Sequence, residues 1–308
     1  MPKRSVRLLI VAALTAVCLQ QTGREPVRHV LTSDPQLPAM ETLAGPATPA
    51  DLDVMTFNLR FAASITPHSW AQRRPAMRDL LTAERPHLIG TQEGLAGQLR
   101  DIESDLGENY DYLGLGRAGG SLSEHMAIFY DTARLRPRTS GNFWLSETPQ
   151  VPGSISWGAY SVRMVTWALF TDLATGREFY AVNTHLDNVS EPARRNATRL
   201  IVQRLATFDR LPVVLTGDFN SPASDSSQIY RALVDRAGLR DTWTSAARRG
   251  PAYGTNHGYQ SPTPDGKRID WILTTPGVTA VGALMNTYRR GSQYPSDHLP
   301  VQARLRLP

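Results

Sequence analysis

Apolar positions along this chain fall into short alternating runs, and stretches of helical period separate them. Leu52–Arg60 alternates as a buried first strand does, and Trp70–Glu84 carries the spacing of a helix. His87–Glu93 predicts a second strand, followed by a helix from about residue 95 to residue 106. Tyr110–Gly116 and Glu124–Tyr130 predict paired strands around a glycine-rich connection that holds Arg117. Phe143–Leu145 and Val162–Asp172 continue the strand pattern; the breaker-rich segment 146–160 between them is long for a connection. Phe179–Asn188 is the next strand, and its period of two puts Asn183, His185 and Asp187 on one face. A helix capped by Ser190 follows, with Ala193, Ala197, Leu200, Ile201 and Leu205 at core spacing and its arginines on a solvated face. Val213–Thr216 reads as a buried strand stopped by Gly217, and 224–237 as a helix. Lys267–Leu273, Gly277–Tyr288 and a strand introduced by Tyr294–Val301 complete the pattern. Strands alternating with helices predict an α/β fold, and one catalytic domain spans 51–308.

Polar residues interrupt these strands at or near their ends: Asn58, Glu93, Glu124, His185, Asp218, Asn220, Asp270, Asp297 and His298. In an extended segment residues i and i+2 share a face, so Asp218 and Asn220 are expected to point together into a cleft while Phe219 turns to the core. The set is rich in carboxylate and amide oxygens and has no sulfur. Such donors suit a hard divalent ion, Mg²⁺ first, then Mn²⁺ or Ca²⁺. The two histidines with aspartates leave zinc as an alternative.

The N-terminus changes the picture of charge. Lys3, Arg4 and Arg7 precede an apolar run from Leu8 to Leu19, the two regions of a secretion signal. That run is too short to cross a bilayer as a helix. Removing about the first 22 residues takes away three positive charges and turns the formal +5 into 30 minus 28, or +2. Global charge therefore gives no argument for a polyanionic partner. The single cysteine, Cys18, closes the apolar run, so no internal disulfide can form. Its alternative role is as a lipid anchor at the cell surface; otherwise the mature protein is expected to be extracellular. Residues 23–50 carry five prolines and no periodicity, which predicts an exposed tether.

The ordered motifs carry a resemblance. Thr56-Phe-Asn58, Thr91-Gln-Glu93, Glu124 before a strand, Asn183-Thr-His185, Gly217-Asp-Phe-Asn220, Arg268-Ile-Asp270 and Ser296-Asp-His298 occur in the order found in the endonuclease/exonuclease/phosphatase superfamily. The chain resembles these deoxyribonuclease-like metal-dependent hydrolases over nearly all of 52–308. The resemblance implies a four-layer α/β sandwich, two mixed β-sheets packed face to face with helices outside. It implies a phosphoesterase in which Asn58, Glu93 and Asp297 hold the metal. Asp218 and Asn220 would position the attacking water. His185 would contact phosphate with Glu124 as its orienting carboxylate, and His298 would pair with Asp270 as general acid or base. Arg117 and Arg163 are candidate phosphate contacts. The substrate stays open between nucleic acid and a small-molecule or lipid-headgroup phosphate. His185 stands where the apurinic-site endonuclease branch has tyrosine, which argues against that repair role. The aromatics of 143–149 and 154–157 are expected to shape the pocket, and Trp144 has a second reading as core. No stable protein partner is implied and a monomer is expected; a non-catalytic binding relative is the remaining alternative.

Overall fold

The structure, a computed structural model, describes residues 38–64 and 67–308; the signal segment and Cys18 lie outside them. Its architecture follows from alternation. In β1 (Leu52–Asn58), Leu52 and Val54 enter one apolar cluster while Met55 and Phe57 enter another. In β8 (Val213–Asp218), Val214 separates in the same way from Val213 and Leu215. Strands apolar on both faces need cover on both.

Two mixed sheets supply half of that cover to each other. The seven-stranded sheet runs β10 (Arg248–Arg249), β12 (Thr279–Met285), β13 (Val301–Arg306), β1, β2 (Leu88–Gln92), β4 (Ile128–Asp131), β3 (Tyr110–Leu113). The six-stranded sheet runs β5 (Leu135–Trp144), β6 (Met164–Asp172), β7 (Glu178–His185), β8, β11 (Asp270–Thr274), β9 (Arg240–Asp241). Val54, Leu88 and Ile128 meet Phe170, Phe179, Val214 and Ile272 between the sheets. Outside the first sheet, α2 (Trp70–Glu84) and α3 (Ala96–Leu106) lay Met77, Leu80, Leu99 and Ile102 over Met55 and Phe57. Outside the second, α4 (Glu191–Leu205) lays Ala197 and Ile201 over Val182 and Leu215. The four-layer α/β sandwich expected from the resemblance is the fold observed.

Two parallel pairs set the position of the site. β1 and β2 are joined through α2, with Asn58 opposite Gln92; β7 and β8 are joined through α4, with His185 opposite Asp218. A parallel pair with a helical crossover brings both carboxyl ends to one edge. Below that edge the sheets nearly touch. Asn183 donates to the carbonyls of Thr91 (2.7 Å) and Ala127 (2.9 Å), and its oxygen accepts from Gln92 Nε2 (2.8 Å). Gly90 faces this point: a Cβ there would lie 2.0 Å from Thr216 Oγ1. Asn183 and Gln92 thus staple the sheets and stay out of the cleft.

Four sequence expectations change. Gly217 does not stop β8 but continues it, opposite Trp271, because a Cβ there would lie 2.7 Å from the Thr184 carbonyl. β5 begins eight residues earlier than Phe143, because its first part is a polar sheet edge without an apolar signal. The helix expected over 224–237 is a short α5 (Gln228–Arg231), capped by Ser227, running into a π-helical turn Ala232–Arg236. The tether expected over 23–50 does not hold for residues 39–44, which form a packed helix; residues 23–37 lie outside the described residues. α1 (Ala39–Ala44) packs Met40 (3% exposed) against Gly282, and Ala39 N donates to Glu84 Oε1 at 2.8 Å. Six residues bounded by prolines are too few to display a helical period. The sixth helix, α6 (Thr242–Ser245), is likewise short and shows no helical period in the sequence.

Arg73 on α2 is wholly buried and spends its donors on five carbonyls, those of Leu59, Arg60, Phe61, His68 and Pro295. It ties the segment after β1 to the segment before β13. Arg73→Met leaves these acceptors unpaired and is expected to destabilise the fold by about 3–5 kcal/mol. A thermal melt should fall by roughly 10 °C; a shift below 2 °C would contradict this role.

Candidate active site

Three residues at strand ends adopt the left-handed backbone that side chains disfavour: Arg60 (φ 49°) after β1, Glu93 (φ 64°) after β2 and Asn220 (φ 47°) after β8. Each is held by a local hydrogen bond. Arg60 N donates to Asn58 Oδ1 (2.9 Å), and Asn220 N donates to Asp218 Oδ1 (2.9 Å). Glu93 Oε1 accepts from Asn58 Nδ2 at 3.0 Å. Asp218 and Asn220 do share the cleft, through this tight turn rather than a continued strand. Phe219 turns inward and stacks on Trp271, ring centroids 4.2 Å apart.

Asn58 is the bridge between the sheets' polar ends. The same Nδ2 donates to Asp218 Oδ2 at 3.0 Å. Ser296 Oγ donates to the Asn58 carbonyl (2.7 Å) and places Asp297 and His298 beside it. The result is a cleft of about 320 Å³ lined by Glu93, Arg117, Glu124, Arg163, His185, Asp218, Asn220, Asp297 and His298. Asp270 lies beneath, fully buried.

The expected pairing of His298 with Asp270 is present: Nδ1 lies 2.9 Å from Asp270 Oδ2. Burial alone would push the His298 pKa down, but the charges of Asp270, Asp218 and Asp297 carry it up to about 10, which favours the protonated ring. Its Nε2 is 2.9 Å from the Asn256 amide and 3.9 Å from Asp218 Oδ2. Burial, then the Asp270 charge, raises the Asp218 carboxyl well above the carboxylate range. His185 is kept neutral by burial and by the cations of Arg163, Arg117 and His298. Its Nε2 faces Asn220 Nδ2 (3.0 Å) and Asp218 Oδ2 (3.4 Å).

The direct pairing of His185 with Glu124 is not made. Arg117 stands between them: its Nη2 is 2.5 Å from Glu124 Oε2 and 3.2 Å from His185 Nδ1. A guanidinium only donates, so His185 Nδ1 is an acceptor and a carboxylate is not needed to orient it. Trp144 is core, 3% exposed, and its indole N–H donates to the Arg117 carbonyl at 2.7 Å. Phe143 and Trp157 pack into the outer cluster of the second sheet instead of lining the cleft. The exposed aromatics on the lining are Phe61 and Tyr160, which carried no periodic signal. Sequence reasoning also missed Arg60, whose Nη1 donates to Asp297 Oδ2 at 2.9 Å, together with Asn188 and Asn256. Each lies outside the long strands and helices, where residue type alone singles out nothing.

Two groups of donors bear on a divalent cation. Asp218, Asp270 and His298 offer ligand atoms within 4.8 Å of one another, a cluster that suggests a divalent metal site. Glu93 and Asp297 add carboxylate oxygens on the cleft lining, the donor chemistry a hard ion takes, with the Asn58 amide held between Glu93 and Asp218.

Among curated proteins no sequence matches significantly. Among solved structures, an endonuclease/exonuclease/phosphatase from Bacteroides vulgatus is 32% identical with a TM-score of 0.78, over 84% of this chain and 99% of that one. A family protein from Bacteroides thetaiotaomicron is 34% identical, TM-score 0.77, over 83% and 97%. A mannosyl-6-phosphatase from Bacteroides thetaiotaomicron is 33% identical, TM-score 0.75, over 82% and 99%. The sequence profile of the Endonuclease/Exonuclease/phosphatase family matches residues 55–298, from the strand that carries Asn58 through to His298 itself. With its fold, its buried Asp–Asp–His cluster and four-fifths of its length in agreement, the chain belongs to that family and is a hydrolase of phosphoric ester bonds.

Proposed function

We propose that the protein is an exported, Mg²⁺-dependent phosphoesterase whose substrate is a small phosphorylated molecule. One observation carries the reading: Asn58 and Asp218 join the strand ends of both sheets in one cleft, acidic on one side and basic on the other. A phosphate ester with its cation matches that polarity. Glu93, Asn58 and Asp297 would hold the ion, with Mn²⁺ or Ca²⁺ as alternatives. Bound there, it neutralises charge on a phosphoryl oxygen and acidifies water.

The chain's own groups do the rest. Asp218, a carboxylate whose proton affinity burial has raised, takes a proton from the attacking water, and Asn220 orients that water. His298, held as an imidazolium by Asp270, faces the negative charge that develops on the phosphoryl group. His185, Arg117 and Arg163 receive phosphate oxygens, and Glu124 serves by aligning Arg117. Water adds its oxygen to phosphorus and keeps one proton on the phosphate formed; the phosphorus–oxygen ester bond breaks, and the leaving alkoxide becomes an alcohol with the proton that Asp218 took, passed on through solvent.

A cleft of about 320 Å³ suits a small molecule, and the similar mannosyl-6-phosphatase supports that class over nucleic acid. Phe61 and Tyr160 at the rim, 45% and 73% exposed, offer faces for a sugar or base ring. The test is a panel of sugar phosphates, inositol phosphates, sphingomyelin, plasmid DNA and RNA, each with and without Mg²⁺. Turnover of sugar phosphates well above DNA and RNA is expected; a strong preference for plasmid DNA would refute the small-molecule reading.

Export rests on Lys3, Arg4, Arg7 and the apolar run after them. Among the described residues no helix is long and apolar enough to cross a membrane. Mass spectrometry of the native protein should find a chain lacking at least residues 1–17. A diacylglyceryl shift on Cys18 would place it at the cell surface, and intact Met1 as the main form would refute processing.

A further inference from the structure

Arg163 is buried in an unusual way for a charged side chain. It is 6% exposed, and only Nη2 has a hydrogen-bond partner, the Asn188 side-chain oxygen at 3.0 Å. Its Nε and Nη1 find no partner among the described residues. The nearest carboxylate, Asp187, stands 3.7 Å from Nε. That carboxylate is already committed to the backbone N–H groups of Tyr160, Ser161, Val189 and Ser190. A second guanidinium, Arg117, lies close enough to disfavour the charge on Arg163. Burial first and Arg117 second push the Arg163 pKa down to about 10. Arg117 has its own carboxylate in Glu124, and its Nε is likewise without a partner.

A buried cation with unpaired donors is expensive, and structures keep one where a ligand completes it. Both guanidiniums line the cleft together with His185, Ser161 and Asn188. The catalytic side already provides for a phosphate carrying one negative charge. A phosphodiester has two non-bridging oxygens that share one charge, whereas a terminal phosphate has a third such oxygen and a second charge. We infer that Arg163, aligned by Asn188 and paired with Arg117, is the subsite that binds the extra oxygen of a terminal phosphate, so that the enzyme selects phosphomonoesters over phosphodiesters. This deepens the proposed phosphoesterase function and rests on it. Arg163 reads the second charge that an additional ester arm would remove.

The test compares Arg163→Met and Arg163→Lys with the wild type. kcat/KM is measured on p-nitrophenyl phosphate and on methyl p-nitrophenyl phosphate. Inorganic phosphate and dimethyl phosphate are titrated calorimetrically against the same Mg²⁺-loaded proteins, and thermal melts accompany each variant. The wild type should favour the monoester. Arg163→Met should lose about 10–100-fold more on the monoester than on the diester, the size of one or two charge-assisted hydrogen bonds. It should lose inorganic phosphate affinity by a similar factor, and lysine should restore part of both. Equal losses on the two esters, or unchanged phosphate affinity in a variant that melts like the wild type, overturns the inference. Phosphate titration separates the two readings: a protein that hydrolyses neither ester yet binds phosphate through Arg163 fails as the proposed enzyme and keeps the subsite. An Arg163→Met protein that does not fold leaves the decision to the lysine variant, for which a partly reduced monoester preference and phosphate affinity with intact melting support the subsite and wild-type values of both overturn it.

Discussion

His298→Ala is expected to lower kcat by about 10²–10⁴, the largest loss from any single side chain outside the metal site. The ring is one half of a unit. Asp270, wholly buried at the start of β11, holds Nδ1 at 2.9 Å and keeps the ring charged. Without Asp270 the imidazolium loses its main support, so Asp270→Asn should approach the same loss. The double variant should be little worse than either, because residues that act as a unit are not additive. Neither side chain fills the apolar core, and thermal melts of all three variants separate chemistry from folding. Near-wild-type turnover in the His298 variant, or losses that multiply in the double variant, would dissolve the unit.

The second large effect concerns Glu93. Its strained backbone (φ 64°) and its bond from Asn58 aim a carboxylate at the open side of the cleft. Glu93→Gln keeps the shape and removes the charge. A hard ion loses a full anionic ligand, so Mg²⁺ affinity is expected to fall by at least about tenfold, the equivalent of 1.4 kcal/mol. Calorimetric titration of Mg²⁺ into the chelated protein reads this without turnover. The titration also arbitrates between the two donor sets: an unchanged isotherm for Glu93→Gln, with a weakened one for Asp218→Asn, would move the ion onto the Asp218, Asp270 and His298 cluster.

Much of this was legible in the chain. Strand positions followed from alternation wherever both faces were apolar, as in β1 and β8, and the ordered strand-end polar residues located the cleft. The structure brings together all eleven singled-out residues, in or directly beneath one cleft. What stayed hidden has physical reasons. The polar edge strand β5 has no inner face to alternate, and α1 is shorter than two turns of helix. Partnerships were harder than positions. Glu124 and His185 are each placed as expected, but Arg117 comes between them, and only coordinates reveal which donor reaches which acceptor. Arg60, Asn188, Asn256, Phe61 and Tyr160 lie outside the long strands and helices, where neither period nor spacing marks a side chain of the site.

The central claim, that this cleft hydrolyses phosphate esters with the help of a divalent ion, is tested most directly by one measurement. The full-length or processed protein is chelated exhaustively, and phosphate release from p-nitrophenyl phosphate is followed in oxygen-18 water before and after Mg²⁺ is returned. The expected result is no release from the stripped protein, release restored by Mg²⁺, and one oxygen-18 in the phosphate formed. Full release without the ion, or oxygen-18 in the p-nitrophenol instead, would contradict the account.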